Sequence, residues 1–347
     1  MLMKSIRILL GLFFTIAVFP ASVFAAEKTT LHYIPDDFDF KYWAYMEIDD
    51  FLSANIIDGT VVYEDDYPIV TVNPEGNITR AQFTKMIVNA LDLKLKGTAQ
   101  TFSDVKTTDW YAPFVAIANS HGIIKGVNGK FNPKNNITRE QMALMIYRAF
   151  KESITFKTTG KTFTDVKPGT EAADAITKAA ANEIVKGYAN LFKPRNLATR
   201  AQGIIMIHRA LHQETSQLPT SEQLLSIVNE VISTEKEGLV SGNYTSMIPV
   251  YNQYSTGYFQ AASIESVNAY EYMKNNGQTL TFTPVGEFTA QVLSKNNRFA
   301  SVEIDNLLYD VTVAGQEGTE RSDFSGILSL KKDPDGTWKV YNVITYE

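Results

Sequence analysis

One four-residue pattern occurs three times in this chain: Thr79-Arg80-Ala81-Gln82, Thr138-Arg139-Glu140-Gln141 and Thr199-Arg200-Ala201-Gln202. Thr followed three residues later by Gln is a capping box, in which the hydroxyl takes an orphan backbone N–H and the Gln reaches back to the cap. The Arg has no such explanation. A cation in the first helical turn faces the positive end of the helix dipole, which is unfavourable by roughly 0.3–1 kcal/mol. Beside the free N–H groups of a helix start, however, a guanidinium makes a receptor for a carboxylate or phosphate. The competing reading is an ion pair with a neighbouring copy. Gly59, Gly126, Gly129 and Gly187 lie in the loops ahead of these caps, preceded by Lys125 at Gly126 and Lys186 at Gly187. Such glycines let backbone approach a ligand, or simply make a turn. Trp43 and Trp110 either stack on a sugar face or seal the start of a helix.

These residues must be held by a repeated element. Phe102-Ser103-Asp104-Val105 returns 61 residues later as Phe163-Thr164-Asp165-Val166, and Ile137-Thr138-Arg139 returns at the same offset as Ala198-Thr199-Arg200. An earlier copy, Ile78-Thr79-Arg80, precedes the middle one by 59 residues. Aligning Gly59, Gly126 and Gly187 sets Trp43 opposite Trp110 and Glu171 opposite both. Each copy reads as two helices around a turn-rich loop, with helix one of the middle copy over Trp110–Ser120. Helix two carries an apolar stripe at helical period: Met142, Met145, Ile146, Ala149 and Phe150 in the middle copy. Phe83, Met86, Ile87, Ala90 and Leu91 repeat it in the first copy, and Gly203, Met206, Ile207, Ala210 and Leu211 in the third. The copies fall at residues 26–95, 96–154 and 155–213. Three such hairpins bury their stripes only against one another, so the expectation is an all-α pseudo-threefold unit. The first copy carries a longer loop, Thr60 to Thr71, whose acids Glu64, Asp65 and Asp66 lack the alternating spacing of a calcium loop and read as a solvated turn.

The combination of Phe-Ser-Asp-Val, Asp-Trp, Gly-Ile-Ile-Lys-Gly, Phe-Asn-Pro and Ile-Thr-Arg-Glu-Gln resembles the S-layer homology family over roughly residues 31–213. The resemblance implies a three-repeat unit that holds secondary cell-wall polysaccharide, typically through pyruvylated amino sugars. It assigns the main anion contact to Arg80, Arg139 and Arg200, and further contacts to Trp110, Trp43, Gly126, Gly187 and Gly59. It also departs from the family in places. The motif Glu is Gln82, Gln141 and Gln202 here, Glu171 stands where a Trp is expected, and Asp58 stands where the other copies have Lys125 and Lys186. The expected pocket therefore centres on Trp110, Lys125, Gly126 and Arg139.

The second half reads differently. Residues 214–220 form a polar linker containing Pro219, and an α+β domain follows over 221–347. A helix runs from Ser221, its possible cap, to Glu237, with Leu224, Leu225, Val228 and Ile232 on one face. A second helical stretch covers Ala262–Lys274. Beyond Gly277 the period becomes two, with strands around 280–282, 288–292, 299–304, 308–313, 326–331 and 338–346, and a hairpin turn at Asp333-Pro334-Asp335-Gly336. Helices followed by a curved antiparallel sheet ending in Gly-Thr-Trp-Lys-Val resemble the nuclear-transport-factor-2-like cone fold, which hosts both enzymes and binders. No His follows His212, and Glu303, Asp305 and Asp310 read as solvent-facing strand positions. His32, His121, His208 and His212 read as scattered, so neither metal nor cofactor is expected.

Bulk properties fit a surface protein. The chain has 347 residues, no Cys, and 32 Lys plus Arg against 38 Asp plus Glu, for a net charge of −6. An acidic chain is a poor nucleic-acid binder, and without Cys there are no disulfides or zinc-thiolate sites. Lys4 and Arg7, the apolar run Ile8–Phe19, Pro20 and Val23-Phe24-Ala25 read as a signal peptide over residues 1–25, too short to span a bilayer. The expectation is a non-enzymatic protein secreted to a bacterial cell wall, anchored to wall polysaccharide, with no membrane span after signal cleavage. Its terminal domain offers a surface to a small ligand or protein. The alternative is a wall-tethered enzyme with its active site in that domain's pocket.

Overall fold

The computed structural model describes residues 28–346, so the expected signal peptide lies outside the described residues. Helices fill the first half: α1 (Tyr45–Ser53), α2 (Arg80–Ala90), α3 (Ala112–Ser120), α4 (Arg139–Phe150), α5 (Glu171–Ala181) and α6 (Arg200–Leu211). Each copy supplies two helices, but they pack across copies rather than as the expected hairpins: α3 lies against α2, α5 against α4, and α1 against α6. The loop expected at Thr60–Thr71 is instead a hairpin of β1 (Thr60–Glu64) and β2 (Tyr67–Thr71). Asp65 and Asp66 both have positive φ, 48° and 66°, the backbone that a two-residue hairpin turn requires and that Asp tolerates. The acidic cluster is thus a solvated turn.

Thr79, Thr138 and Thr199 cap α2, α4 and α6, each accepting from the backbone N–H of the Gln three residues on. The return bond from Gln is made by Gln82 and Gln141 only. The expected stripes are the core. Phe83, Met142 and Gly203, equivalent positions in the three copies, come together: a Cβ on Gly203 would meet the Phe83 ring at 3.2 Å and Met142 Cε at 3.4 Å. Glycine in mid-helix is unfavourable by roughly 1 kcal/mol relative to Ala, and here it makes room for the buried Phe83 ring.

Just ahead of the caps, three buried residues bond in a closed ring. Ile78 N–H donates to Ala198 O (3.1 Å), Ala198 N–H to Ile137 O (3.0 Å), and Ile137 N–H to Ile78 O (2.9 Å). The helix-start amides continue the pattern. Arg80 and Ala81 N–H donate to Asn135 and Pro133 O, Arg139 and Glu140 N–H to Asn196 and Pro194 O, and Arg200 and Ala201 N–H to Gly76 and Pro74 O. Each second helix therefore starts on the loop of the next copy, with the third returning to the first. This corrects the expectation of free helix-start amides. With the cap taking the third amide, the first turn has its donors satisfied by protein, and no open anion nest remains there.

The terminal half comprises α7 (Ser221–Ser241), α8 (Ile248–Tyr254), α9 (Gly257–Asn275) and seven strands: β3 (Leu280–Val285), β4 (Thr289–Lys295), β5 (Phe299–Asp305), β6 (Leu308–Val313), β7 (Glu320–Asp323), β8 (Gly326–Lys332) and β9 (Trp338–Thr345). They form two antiparallel sheets, ordered β3-β6-β7 and β4-β5-β8-β9, with irregularities at Val292/Ser294 and Ser329/Leu330. The cap of α7 is Thr220, one residue before the expected Ser221. The turn at Asp333–Gly336 is as expected, closed by Asp333 N–H to Thr337 O at 2.7 Å. Helix α8 and strand β7 were not expected; both are short and lack a long period. Among the described residues no helix is long and apolar enough to cross a membrane.

The halves meet where α1 packs against α9 and β9, and where His212, at the end of α6, stacks on Phe299. Phe299 and Tyr341 join the core of the repeats. Glu214, buried in the expected linker, pairs with Arg298 at 2.7 Å. Gly257 (φ 62°) lies so close to Ser53 O that no Cβ fits. Residues 214–220 are therefore fastened rather than free: Gln217 N–H donates to Asn297 Oδ1 and Asn297 Nδ2 to Ser216 Oγ.

Candidate functional site

The repeated arginines cross between copies. Arg80 of the first copy donates from Nε to Phe131 O in the second (2.9 Å), with its guanidinium 4.9 Å from the Phe131 ring centre. Arg139 of the second makes the same bond to Phe192 O in the third (2.9 Å), over the Phe192 ring at 4.7 Å. It adds Nη2 to Lys186 O (2.9 Å) and Nη1 to Gln202 Oε1 (3.2 Å). Gln202 has left its own cap to do this, which explains the missing return bond. Arg200 of the third copy donates from Nη2 to Asp58 O in the first (3.1 Å), and its buried Nε has no partner among the described residues. Val72 stands there in place of Phe131 and Phe192, so this guanidinium lacks the ring that lies beneath the other two. Burial lowers the pKa of all three, yet guanidinium stays charged at any physiological pH.

The three arginines are thus unequally free. Arg139, only 7% exposed, has every nitrogen bonded. Arg80 uses Nε alone and leaves both terminal nitrogens without a protein partner among the described residues. The expected grouping of Trp110, Lys125, Gly126 and Arg139 is not assembled by contact. Arg139 belongs with Lys186 and Phe192, while the Lys125–Phe131 loop belongs with Arg80.

The loop itself is held by an Asp. Asp104 accepts from Phe131 and Asn132 N–H (both 2.8 Å), and Asp165 from Phe192 and Lys193 N–H (2.8 and 2.7 Å). Burial opposes the charge on each, but these amides outweigh it and hold both carboxyls below the usual range. Asp37 does the same in the first copy, toward Val72 and Asn73 N–H. It sits six residues before Trp43, as Asp104 does before Trp110 and Asp165 before Glu171; that spacing is the signal that finds it without the Phe-Ser-Asp-Val motif. The glycines have a steric cause. A Cβ on Gly126 or Gly187 would strike the ring of Phe102 or Phe163, and one on Gly59 would strike Val70.

Trp43 and Trp110 are 58% and 55% exposed and rest on Tyr42 and Tyr111. Sealing a helix would have buried them, so they are open platforms. Tyr188, 48% exposed, lies under Arg139 and Lys193 and adds a third exposed ring. Glu171, at the expected Trp position, takes two bonds from Arg148 (2.7 and 2.5 Å) and lies 3.6 Å from Lys125. The Arg148 bonds hold its carboxyl down to about 2, so Lys125 has an acid beside it rather than a sugar-stacking ring.

A second site lies in the terminal domain. Leu224, Val228, Val231, Ile232 and Leu239 form the buried face of α7, and Glu235 lies on that same face. Its carboxyl accepts from Tyr251 OH at 2.8 Å, and burial, against that bond, pushes it up to about 7. Burial also raises Tyr251, Tyr270 and Tyr309 around it. Together with Ser263 and Phe324 they line a cavity of about 60 Å³. That holds a few waters or a small functional group, far below the ~300 Å³ typical of a pocket for a whole small molecule. Glu303, Asp305 and Asp310 do not line this cavity: Asp310 pairs with Arg321 at 2.6 Å, Glu303 accepts from Tyr346 OH, and Asp305 is exposed.

Comparison with known proteins finds the S-layer homology domain at residues 101–143 and 162–202. An exoglucanase of Acetivibrio thermocellus is 33% identical over 179 residues, 50% of this chain and 16% of the relative. The middle cell wall protein of Brevibacillus brevis is 34% identical over 142 residues, 40% of this chain and 12% of the relative. An uncharacterized cell wall amidase of Bacillus anthracis is 25% identical over 292 residues, 80% of this chain and 50% of the relative. The chain thus spans half or less of each of these relatives' length.

Proposed function

Starting from a chain that belongs, through residues 101–143 and 162–202, to the S-layer homology family, we propose that residues 26–213 form a pseudo-threefold anchor of three repeats. The anchor holds this cell-surface protein non-covalently to secondary cell-wall polysaccharide, through acidic groups such as pyruvate ketals. The observation that carries the reading is the cyclic placement of Arg80, Arg139 and Arg200, each laid across the glycine loop of the next copy. This creates three grooves of one design and unequal capacity. The groove of Arg80, with Phe131, Gly126 and Lys125, keeps two terminal guanidinium nitrogens for a carboxylate. Arg139, Lys186 and Gly187 form mainly a structural joint, edged by the Tyr188 ring. The groove of Arg200 with Gly59 carries Asp58 beside it, which disfavours an anion. Trp43 and Trp110 offer faces to neutral sugar rings.

The test is co-sedimentation of the intact chain with purified sacculi. Binding should be strong on intact wall and lost on wall stripped of its secondary polymer or of that polymer's ketals. Equal binding to stripped wall ends the assignment.

For the terminal domain we propose a cone of the nuclear-transport-factor-2-like type that binds a small group or displays an interaction surface. Glu235 favours a second reading, a wall-tethered enzyme. A carboxyl titrating near 7 beside tyrosines is poised to move protons at neutral pH. A turnover assay in which Glu235→Gln abolishes an activity of the intact chain would establish the enzyme. A wild-type chain inert toward wall glycans and peptides would leave the binding domain.

A further inference from the structure

His208 lies in the last turn of α6 and His212 is its C-cap, one turn on and still in helical backbone, so both imidazoles project from one side. Their rings lie 4.1 Å apart, and His212 is stacked on Phe299 at 4.8 Å with an interplanar angle of 7°. Asp50, from α1, presents Oδ2 to His208 Nε2 at 2.9 Å. One ligand atom from each of Asp50, His208 and His212 lies within 4.8 Å of the others. This overturns the reading of the histidines as scattered: these two have metal-ligand spacing, and the fold adds a carboxylate from another helix.

We propose that Asp50, His208 and His212 bind one divalent transition-metal ion of the Zn²⁺ class, at the seam between the repeats and the terminal domain. Two imidazoles and one carboxylate suit a borderline-soft cation and disfavour Mg²⁺ or Ca²⁺, which take all-oxygen sets. The surrounding groups are those a metal site uses to orient its ligands. Tyr341 OH donates to Asp50 Oδ1 at 2.6 Å, which leaves Oδ2 for the ion. His212 Nδ1 bonds to His208 O at 2.8 Å, which turns Nε2 outward as the ligand nitrogen. The three groups border a cavity of about 350 Å³ that Glu47, Ser301 and Asn342 also line. The remaining coordination positions are therefore open to water, as in zinc sites with three protein ligands. Because Tyr341 comes from β9, the ion would also fasten the terminal domain to α1 and α6.

The proposal is tested by calorimetric titration of untagged, chelator-treated intact chain with ZnCl₂, alongside the visible spectrum with Co²⁺. One ion should bind per chain, unaffected by excess Mg²⁺. His212→Ala gives up the stacking on Phe299 but, at an exposed position, should leave the metal-free chain folded, as its circular dichroism checks, while weakening Zn²⁺ at least about tenfold. Asp50→Asn should weaken it likewise. Tyr341→Phe should do so less, and His121→Ala not at all. No saturable one-to-one binding, or binding that both His212→Ala and Asp50→Asn leave unchanged, overturns it.

Discussion

Buried charge is handled in opposite ways in the two halves. Among the repeats the buried Arg139 is surrounded, giving three hydrogen bonds to three residues of the next copy. In the terminal domain the Glu235 carboxyl takes a single hydrogen bond, from the Tyr251 phenol. The first arrangement spends its polar groups on joining copies. The second leaves a group whose proton is loosely committed at neutral pH. Burial of a titratable group therefore does not by itself point to chemistry; the number of partners decides.

The comparison breaks most visibly at Arg139. Arg139→Ala removes three bonds at a joint and orphans two carbonyls, so it should lower stability by about 3 kcal/mol, read by urea denaturation. A neutral effect would mean that the joint is not structural and that the sequence-based expectation of a free ligand-binding Arg139 holds after all.

Glu235→Gln sharpens the other side. The folded pKa lies above the unfolded one, so the wild-type chain's favourable term is complete below about pH 4.5 and is lost as pH rises toward 7. The Gln variant lacks that loss. Its stability relative to wild type should grow by roughly 2–3 kcal/mol across this window. A pH-independent difference would place the carboxyl in water.

Arg80 should separate binding from folding. Arg80→Ala loses one bond, yet sedimentation with sacculi should weaken about tenfold, equivalent to ~1.4 kcal/mol. A larger loss from Arg139→Ala, in a variant still folded, would exchange the roles of the two grooves. Smallest is the cap: Thr138→Ala should lower stability by about 1 kcal/mol with affinity nearly unchanged, checked by paired melting and sedimentation.

Much of this was legible in the chain. The second helix of each copy, its cap and its stripe follow from local spacing, and period-two alternation marks β3 to β6, β8 and β9. What escaped depends on which copy each helix meets. The Arg motif reads as a ligand site because nothing local reveals that Phe192 O and Lys186 O wait in the following copy. Gln202 reads as a cap because it is identical to its counterparts; only the neighbouring Arg139 diverts it. Glu235 was visible in principle, as an acid on the apolar stripe that runs from Leu224 to Leu239. Asp50 was not, since its partners lie 158 and 291 residues away.

The ring of backbone bonds through Ile78, Ile137 and Ala198 has a kinetic consequence. Two of its three bonds involve Ala198, so a chain synthesised from its N-terminus holds only the Ile137-to-Ile78 bond until the last copy is made. The two earlier copies must wait with apolar stripes uncovered, and contacts of such long sequence separation form slowly. Once Ala198 arrives, closure secures all three copies at once. The anchor should therefore appear in a single late step, and a chain cut between α4 and α6 should yield no partial anchor but an aggregation-prone intermediate.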